Sequence, residues 1–442
     1  MTRPFLPRTF LPVAIVLSLA SSAVFAASPP SRPGADAPEL AALGTHAVGY
    51  RSLTLIQPQQ ANLERFDVKT GAIPKTDRTL RIDIWYPATI SKNAKAVTYS
   101  SEFRGEPPRP PAAFTVAGLA IKNAKPEGSG HPLVIVSHGY SNTPIGMTWL
   151  TENLASKGYV VAAIYHQDPD PDRSTAVVRS GPFLRRPLDI GYVARTLPAL
   201  LGKQIDPSKI ALIGYSMGGY GVVTAGGASL DANGPTIKFG GGPGLEVAKI
   251  AKGGPDESLG KVAGVKAIVA MAPAGGSMGA WNAEGLANIK APLLLIAGDH
   301  DQTVDYTTGA KAIFGGAVNS DRYLLTFHEA GHSVGLGPVP EEMTTQMWDQ
   351  DWFADPIWRT DRINAINLHF ITAFLNRALN GKSDLDSYLN VATIASDDGV
   401  WAYDPKASYG AYSTATNGVT VWKGFQRRHA RGLELRHAAP MP

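Results

Sequence analysis

The sequence predicts an α/β protein with a mostly parallel central sheet and helices on both faces. Two observations predict it. Short apolar runs alternate with stretches of helical periodicity, the pattern of parallel strands joined by crossover helices. One such run, Lys209-Ile210-Ala211-Leu212-Ile213, leads directly into Gly214-Tyr215-Ser216-Met217-Gly218-Gly219 and then a helix-compatible stretch, which makes a strand–turn–helix unit.

The elements follow in chain order. Residues 51–56 and 80–87 read as early strands, the second alternating Leu80, Ile82 and Ile84 with polar partners. The candidate sheet core is 132–137, 159–165, 210–215, 265–272, 292–297 and 323–327. Helical stretches at 145–156, 188–201, 217–229 and 306–314 lie between these strands. The last strong helix is 360–380, where Ile363, Ile366, Phe370, Phe374 and Leu375 recur at helical spacing and Gly381 ends it. Core packing accounts for that stripe.

The strands and helices share one connected core, so residues 49–389 are expected to form one domain, without internal repeats. Two segments interrupt it. Residues 226–264 are glycine-rich, and Gly240-Gly241-Gly242-Pro243-Gly244 lacks the Gly-Lys-Ser/Thr ending of a phosphate loop, so the segment is expected to shape the rim of a pocket. Residues 337–358 carry Trp348, Trp352 and Trp358, which suit either a pocket wall or packing anchors. Beyond 390 the chain has no assigned role. Arg427, Arg428, Arg431 and Arg436 make this part basic, as a solvated tail or an adhesive surface would be.

Composition narrows the function. The chain has 442 residues and 44% hydrophobic content, enough to bury a large core. Its 41 basic and 37 acidic residues leave a formal charge of +4, with no dense basic run before the last segment, so nucleic acid is not an expected partner. At the N-terminus, Arg3 and Arg8 precede the apolar run 11–20 and the small residues of Ala23-Val24-Phe25-Ala26. That is the plan of an export signal over 1–26, followed by a linker over 27–48 whose start is rich in Pro and Ala. The run is too short to span a bilayer. No membrane span is expected, and the mature chain is expected in the periplasm or outside the cell. With no cysteine in the chain, disulfides, lipid anchoring through a thiol, a cysteine nucleophile and cysteine metal sites are all excluded.

The chemistry-bearing residues centre on Ser216. Gly-x-Ser-x-Gly between a strand and a helix is a turn so tight that the serine adopts a strained backbone and the residues two positions away must be nearly side-chain-free. A serine hydroxyl needs a base, and the imidazolium so formed needs an oriented carboxylate. Asp301 is the expected carboxylate, just past the turn that ends the run 292–297; Asp299 and Asp305 compete, with Asp299 better suited to cap the turn. His332 is the expected base, in the loop after 323–327, where Gly331 gives the backbone freedom; His328 is expected to be structural. Backbone N–H groups of Met217 and Tyr140, the latter in Ser137-His138-Gly139-Tyr140, are the expected oxyanion donors. Asp168-Pro169-Asp170-Pro171-Asp172 could hold Ca²⁺, but its alternating prolines favour a solvated, stiffened loop. No metal or cofactor is expected.

Together these residues resemble the α/β-hydrolase superfamily. Within it the chain is similar to the group of plasma-type platelet-activating factor acetylhydrolases and predicted dienelactone hydrolases. The resemblance rests on Arg81-Ile82-Asp83-Ile84-Trp85-Tyr86-Pro87-Ala88, Val136-Ser137-His138-Gly139, Arg186-Pro187-Leu188-Asp189-Ile190 and Gly214 to Gly219, together with Asp301 and His332. It implies the α/β-hydrolase fold and a metal-free esterase with an acyl-serine intermediate. True dienelactone hydrolases use a cysteine nucleophile, which this chain lacks. The expected activity is thus hydrolysis of a small or lipid-like carboxylic ester. An amide, transfer of the acyl group to an alcohol, or a polyester would suit the same residues. A non-catalytic binding protein on this scaffold is the reading from another class, and it sits poorly with a complete set of serine, acid and histidine.

Overall fold

The computed structural model describes residues 32–104, 111–169, 175–241, 245–401, 418–426 and 428–442. The expected export segment 1–26, residues 170–172 of the acidic loop, residues 242–244 of the glycine run and Arg427 lie outside them. The strands are β1 (Ala47–Ala61), β2 (Lys75–Thr89), β3 (Ala96–Phe103), β4 (Ala112–Lys122), β5 (Lys125–Pro126), β6 (His131–Ser137), β7 (Val160–Ile164), β8 (Ile205–Tyr215), β9 (Ala267–Met271), β10 (Leu293–Gly298), β11 (Arg322–Phe327) and β12 (Leu433–Ala438). The principal helices are α1 (Thr148–Ser156), α2 (Gly181–Leu201), α3 (Met217–Ala225) and α4 (Thr360–Asn380).

All the strands join one sheet in the order β12-β11-β10-β9-β8-β6-β7-β2-β1-β4-β3, with β5 beside β2. From β7 to β11 every neighbouring pair is parallel. The residues of β7, β9, β10 and β11 are all buried, which is why β7, β9 and β10 read as unbroken apolar runs and β11 as a largely apolar one, broken by Arg322 and Thr326. This is the α/β-hydrolase arrangement that the sequence implies: a parallel block whose C-terminal strand ends lie along one edge. Antiparallel strands flank the block, β2 on β7 and β12 on β11.

The flanks are where the sequence reading fell short. β1 and β2 run well past 51–56 and 80–87, paired from Ala47↔Ala88 to Ala61↔Lys75, because their outer halves are exposed and polar. β3 and β4 have only a partial buried alternation and were not anticipated. The basic C-terminal segment is not simply a solvated tail. Its Leu433 and Leu435 are buried, and β12 covers the edge that β11 would otherwise present to solvent.

α4 has the expected bounds, and Gly381 ends it in the left-handed conformation at φ 63°. α2 begins at Gly181, ahead of the expected 188. The glycine-rich excursion lies along α2: Arg195 donates to Leu259 O at 2.9 Å, and Gly260 sits against Pro187.

Candidate active site

β8 delivers Ser216 at its C-terminal end and α3 starts at the next residue. Ser216 has φ 53° and ψ −117°, a conformation that costs a non-glycine residue about 1–3 kcal/mol. The surroundings fix it there. Its N–H donates to Met271 O at 2.9 Å, and its carbonyl accepts from Tyr220 and Ala274, both at 3.0 Å. The glycines around it are required by close approach. A Cβ on Gly214 would stand 2.1 Å from Gly218 O, and one on Gly218 would stand 1.9 Å from Ser137 O. Met217 opens α3, so its N–H has no intrahelical acceptor.

The loops after β10 and β11 bring the acid and the imidazole to this serine. His332 Nε2 lies 3.0 Å from Ser216 Oγ, and His332 Nδ1 lies 2.7 Å from Asp301 Oδ2. A carboxylate only accepts, so Nδ1 carries the proton and Nε2 faces the hydroxyl as an acceptor. Asp301 is buried, and its other oxygen accepts the N–H groups of Thr303 and Val304 at 2.9 and 3.0 Å. Tyr215 supports the histidine from below, its hydroxyl donating to His332 O at 3.2 Å. The competitors are engaged elsewhere. Asp299 accepts from the N–H of Glu329 at 2.7 Å and meets His328 Nδ1 at 2.7 Å, and Asp305 accepts from the N–H of Thr308 at 2.7 Å.

Known proteins match parts of this chain. Residues 115–180 match the model of the platelet-activating factor acetylhydrolase, isoform II, family. Cutinase est2 of Thermobifida alba and cutinase 2 of Thermobifida cellulosilytica are each 32% identical over 97 residues. That stretch is 22% of this chain and 30% and 35% of theirs, so the chain spans about a third of the length of these relatives. A solved ferulic acid esterase from Streptomyces cinnamoneus is 20% identical with a TM-score of 0.48, covering 78% of this chain and 94% of that one. The chain resembles esterases of the α/β-hydrolase superfamily. The acetylhydrolase match includes the loop Ser137–Tyr140 and stops short of Ser216.

A buried polar network lies under that loop, and the sequence reading did not find it. Arg186, fully buried, donates to His138 O at 2.6 Å, to Gly139 O at 3.2 Å and to Asp168 Oδ2 at 2.5 Å. Asp168 also accepts the Ser141 N–H at 3.0 Å. The expectation of a solvated carboxylate loop therefore fails for Asp168, because Arg186 and a backbone N–H draw it inside. Arg78 pairs with both oxygens of Asp189, which also meets His166 Nδ1 at 2.9 Å, and His166 Nε2 meets Ser137 Oγ at 2.9 Å. Burial would raise the Asp189 carboxyl, but Arg78 and His166 override it and hold it well below the ordinary range. Burial, reinforced by Arg186, lowers His138 well below its ordinary value and His166 to about 3, so both imidazoles are neutral. The readable signal was the spacing of Arg186 and Asp189, which lie on the same side of a helix.

The aromatic segment 337–358 frames the histidine loop. Gly331 N–H donates to Asp355 Oδ2 at 2.7 Å, Ser333 Oγ donates to Trp352 O at 3.0 Å, and Trp358 Nε1 donates to His328 O at 2.8 Å. Trp352 and Trp358 pack on Phe103 and Phe327 with ring centres 5.0 and 5.1 Å apart, so both serve as packing anchors. The side chain of Trp348 lies outside the description. Among the described residues no group of three or more His, Asp or Glu side chains is placed to hold a metal ion, and no helix is long and apolar enough to cross a membrane.

Proposed function

We propose that this chain is an exported serine carboxylic-ester hydrolase in which Ser216 is the nucleophile, His332 the general base and acid, and Asp301 the orienting carboxylate. The observation that carries the reading is the chain of contacts from Ser216 Oγ to His332 Nε2 at 3.0 Å and from His332 Nδ1 to Asp301 at 2.7 Å, at a strained turn. Ser216 Oγ attacks the ester carbonyl carbon while its proton passes to His332 Nε2. The tetrahedral oxyanion is held by the N–H groups of Met217 and Tyr140. As the intermediate collapses, His332 returns the proton to the departing alcohol and leaves an acyl-serine. Water then repeats the sequence and releases the acid. Loss of one oxyanion donor of this kind costs about 2.7–4 kcal/mol of transition-state stabilisation. The reaction needs no metal or cofactor.

Export rests on the charged, apolar and small-residue order of residues 1–26. The similarity to cutinases supports including a polymeric ester among the substrates tested. A fluorophosphonate probe is expected to label Ser216, and Ser216→Ala to abolish both labelling and ester turnover. Undiminished hydrolysis by a folded Ser216→Ala protein would refute the mechanism. Rates across p-nitrophenyl esters of rising acyl length, set against matched amides and polyester films, assign the substrate class; a sharp preference for acetyl would mark an acetylhydrolase.

A further inference from the structure

The peptide that bears the Tyr140 N–H is gripped from its other side. In a trans peptide the C=O and N–H point in opposite directions. Whatever fixes the Gly139 carbonyl therefore also aims the Tyr140 N–H. Gly139 O takes three donors: His138 Nδ1 at 2.6 Å, Arg186 Nη2 at 3.2 Å and the Asn142 N–H at 3.4 Å. His138 Nδ1 holds a proton because its Nε2 accepts the His166 N–H at 3.1 Å. The second proposed donor is arranged alike, since Ser216 O, on the far side of the Met217 peptide, accepts from Tyr220 and Ala274. At Met217 backbone alone does this. At Tyr140 a buried imidazole and a buried cation join the backbone donor.

We infer that Arg186, braced by Asp168 and assisted by the neutral His138 imidazole, is a positioning residue that aims and strengthens the Tyr140 N–H toward the oxyanion. The inference rests on the reading of Ser216 as the nucleophile. Three features support it. Burying a guanidinium is costly unless its geometry is well matched, and an apolar side chain would fill the same space against Gly221 without that cost. Two of the three oxygens Arg186 meets are consecutive carbonyls of the oxyanion loop, and the third belongs to Asp168, which holds the loop through Ser141. A cationic donor on a carbonyl also draws electron density from its amide, so the N–H of the same peptide becomes a stronger donor. Fastening the fold would require none of these, since an apolar side chain would fill the space.

The test is kinetic, on the full-length protein, with Arg186→Lys and Asp168→Asn as variants and thermal unfolding measured alongside. Lysine keeps the charge but cannot reach three oxygens in a planar fork. Arg186→Lys is expected to lower kcat about tenfold to a hundredfold with KM little changed. It should weaken inhibition by a boronic acid, which forms a tetrahedral adduct on the serine, by the same factor. Asp168→Asn, which still accepts the Ser141 N–H, is expected to show the same pattern at smaller size, and it decides the matter if Arg186→Lys does not fold. Folded variants that keep parental kcat and boronic-acid affinity overturn the inference. So does a loss of activity that follows a lowered unfolding temperature without a matching change in boronic-acid affinity. Full turnover by Ser216→Ala would instead remove the serine-hydrolase reading itself.

Discussion

Ser216 and its two glycines divide the cost of the turn differently. Ser216 carries the unusual backbone, with φ at 53°, while Gly214 and Gly218 have ordinary φ angles and are needed because neighbouring backbone lies where a Cβ would be. Gly218→Ala would drive its methyl into Ser137 O, a backbone atom that can only yield by moving the loop 137–140. The variant is expected to lose about 3 kcal/mol, the upper end for overpacking, and to react more slowly with a fluorophosphonate. Urea titration and labelling rates check both. Gly331 is the contrasting case. The sequence suggests that Gly331 gives the backbone freedom before His332, yet its φ is not in the left-handed region and a Cβ there would meet only Asp355 Oδ2 at an ordinary 3.5 Å. Gly331→Ala is expected to change stability by less than about 0.5 kcal/mol. The positive φ in that loop belongs to Glu329, at 63°.

At the scale of elements, α1 and α4 are joined to the short helix Glu39–Ala41 by one lysine. Lys157 Nζ donates to Leu40 O at 2.6 Å and to Thr372 Oγ1 at 2.8 Å, with no carboxylate in the pair, and burial pushes it down to about 7. Between pH 7 and the ordinary lysine range the unfolded chain holds a proton that the folded chain releases, so this group makes stability rise with pH by up to about 1.4 kcal/mol per unit. Lys157→Met should flatten that rise between pH 7 and 9, read as the urea midpoint of variant and parent; parallel profiles would contradict it. The same elements show what the sequence made legible. α4 was readable to the residue because apolar positions at helical spacing end in a glycine, and β9 to β11 because strands buried on both faces are mostly apolar runs. β3, β4 and β12 were not, since a half-exposed strand at or next to the sheet edge spells a weak alternation of mixed residues. The proposed catalytic residues were legible because each follows a buried strand. The clamp under Tyr140 was not, because Arg186, Asp168 and His138 come from three separate loops and helices, and nothing in their local sequence says that they meet.

For the molecule as a whole, the absence of cysteine leaves stability to the core, and that core contains imidazoles which must stay neutral. His138, His166 and His369 are all buried, and burial holds the last two to about 3. As pH falls below the ordinary histidine value the unfolded chain takes up protons that the folded chain refuses. Stability therefore falls with pH across the window from about 6.5 to about 3, by up to about 1.4 kcal/mol per unit for each of His166 and His369, with His138 acting in the same direction. Between pH 6.5 and 5 His166 and His369 together remove about 3 kcal/mol, a large share of the net stability of an ordinary domain of about 5–15 kcal/mol. Activity is thus expected to be lost on the acid side through cooperative unfolding. His369 allows this to be tested away from Ser216. It sits on α4 among Phe370, Tyr388 and Phe425 and accepts the Leu40 N–H at 3.2 Å. His369→Phe removes one of these proton sites, so its stability should start lower at pH 7 but fall less steeply toward pH 5. Urea titrations at half-unit intervals read the two slopes, and equal slopes for parent and variant would show that this buried imidazole is not a source of the acid sensitivity.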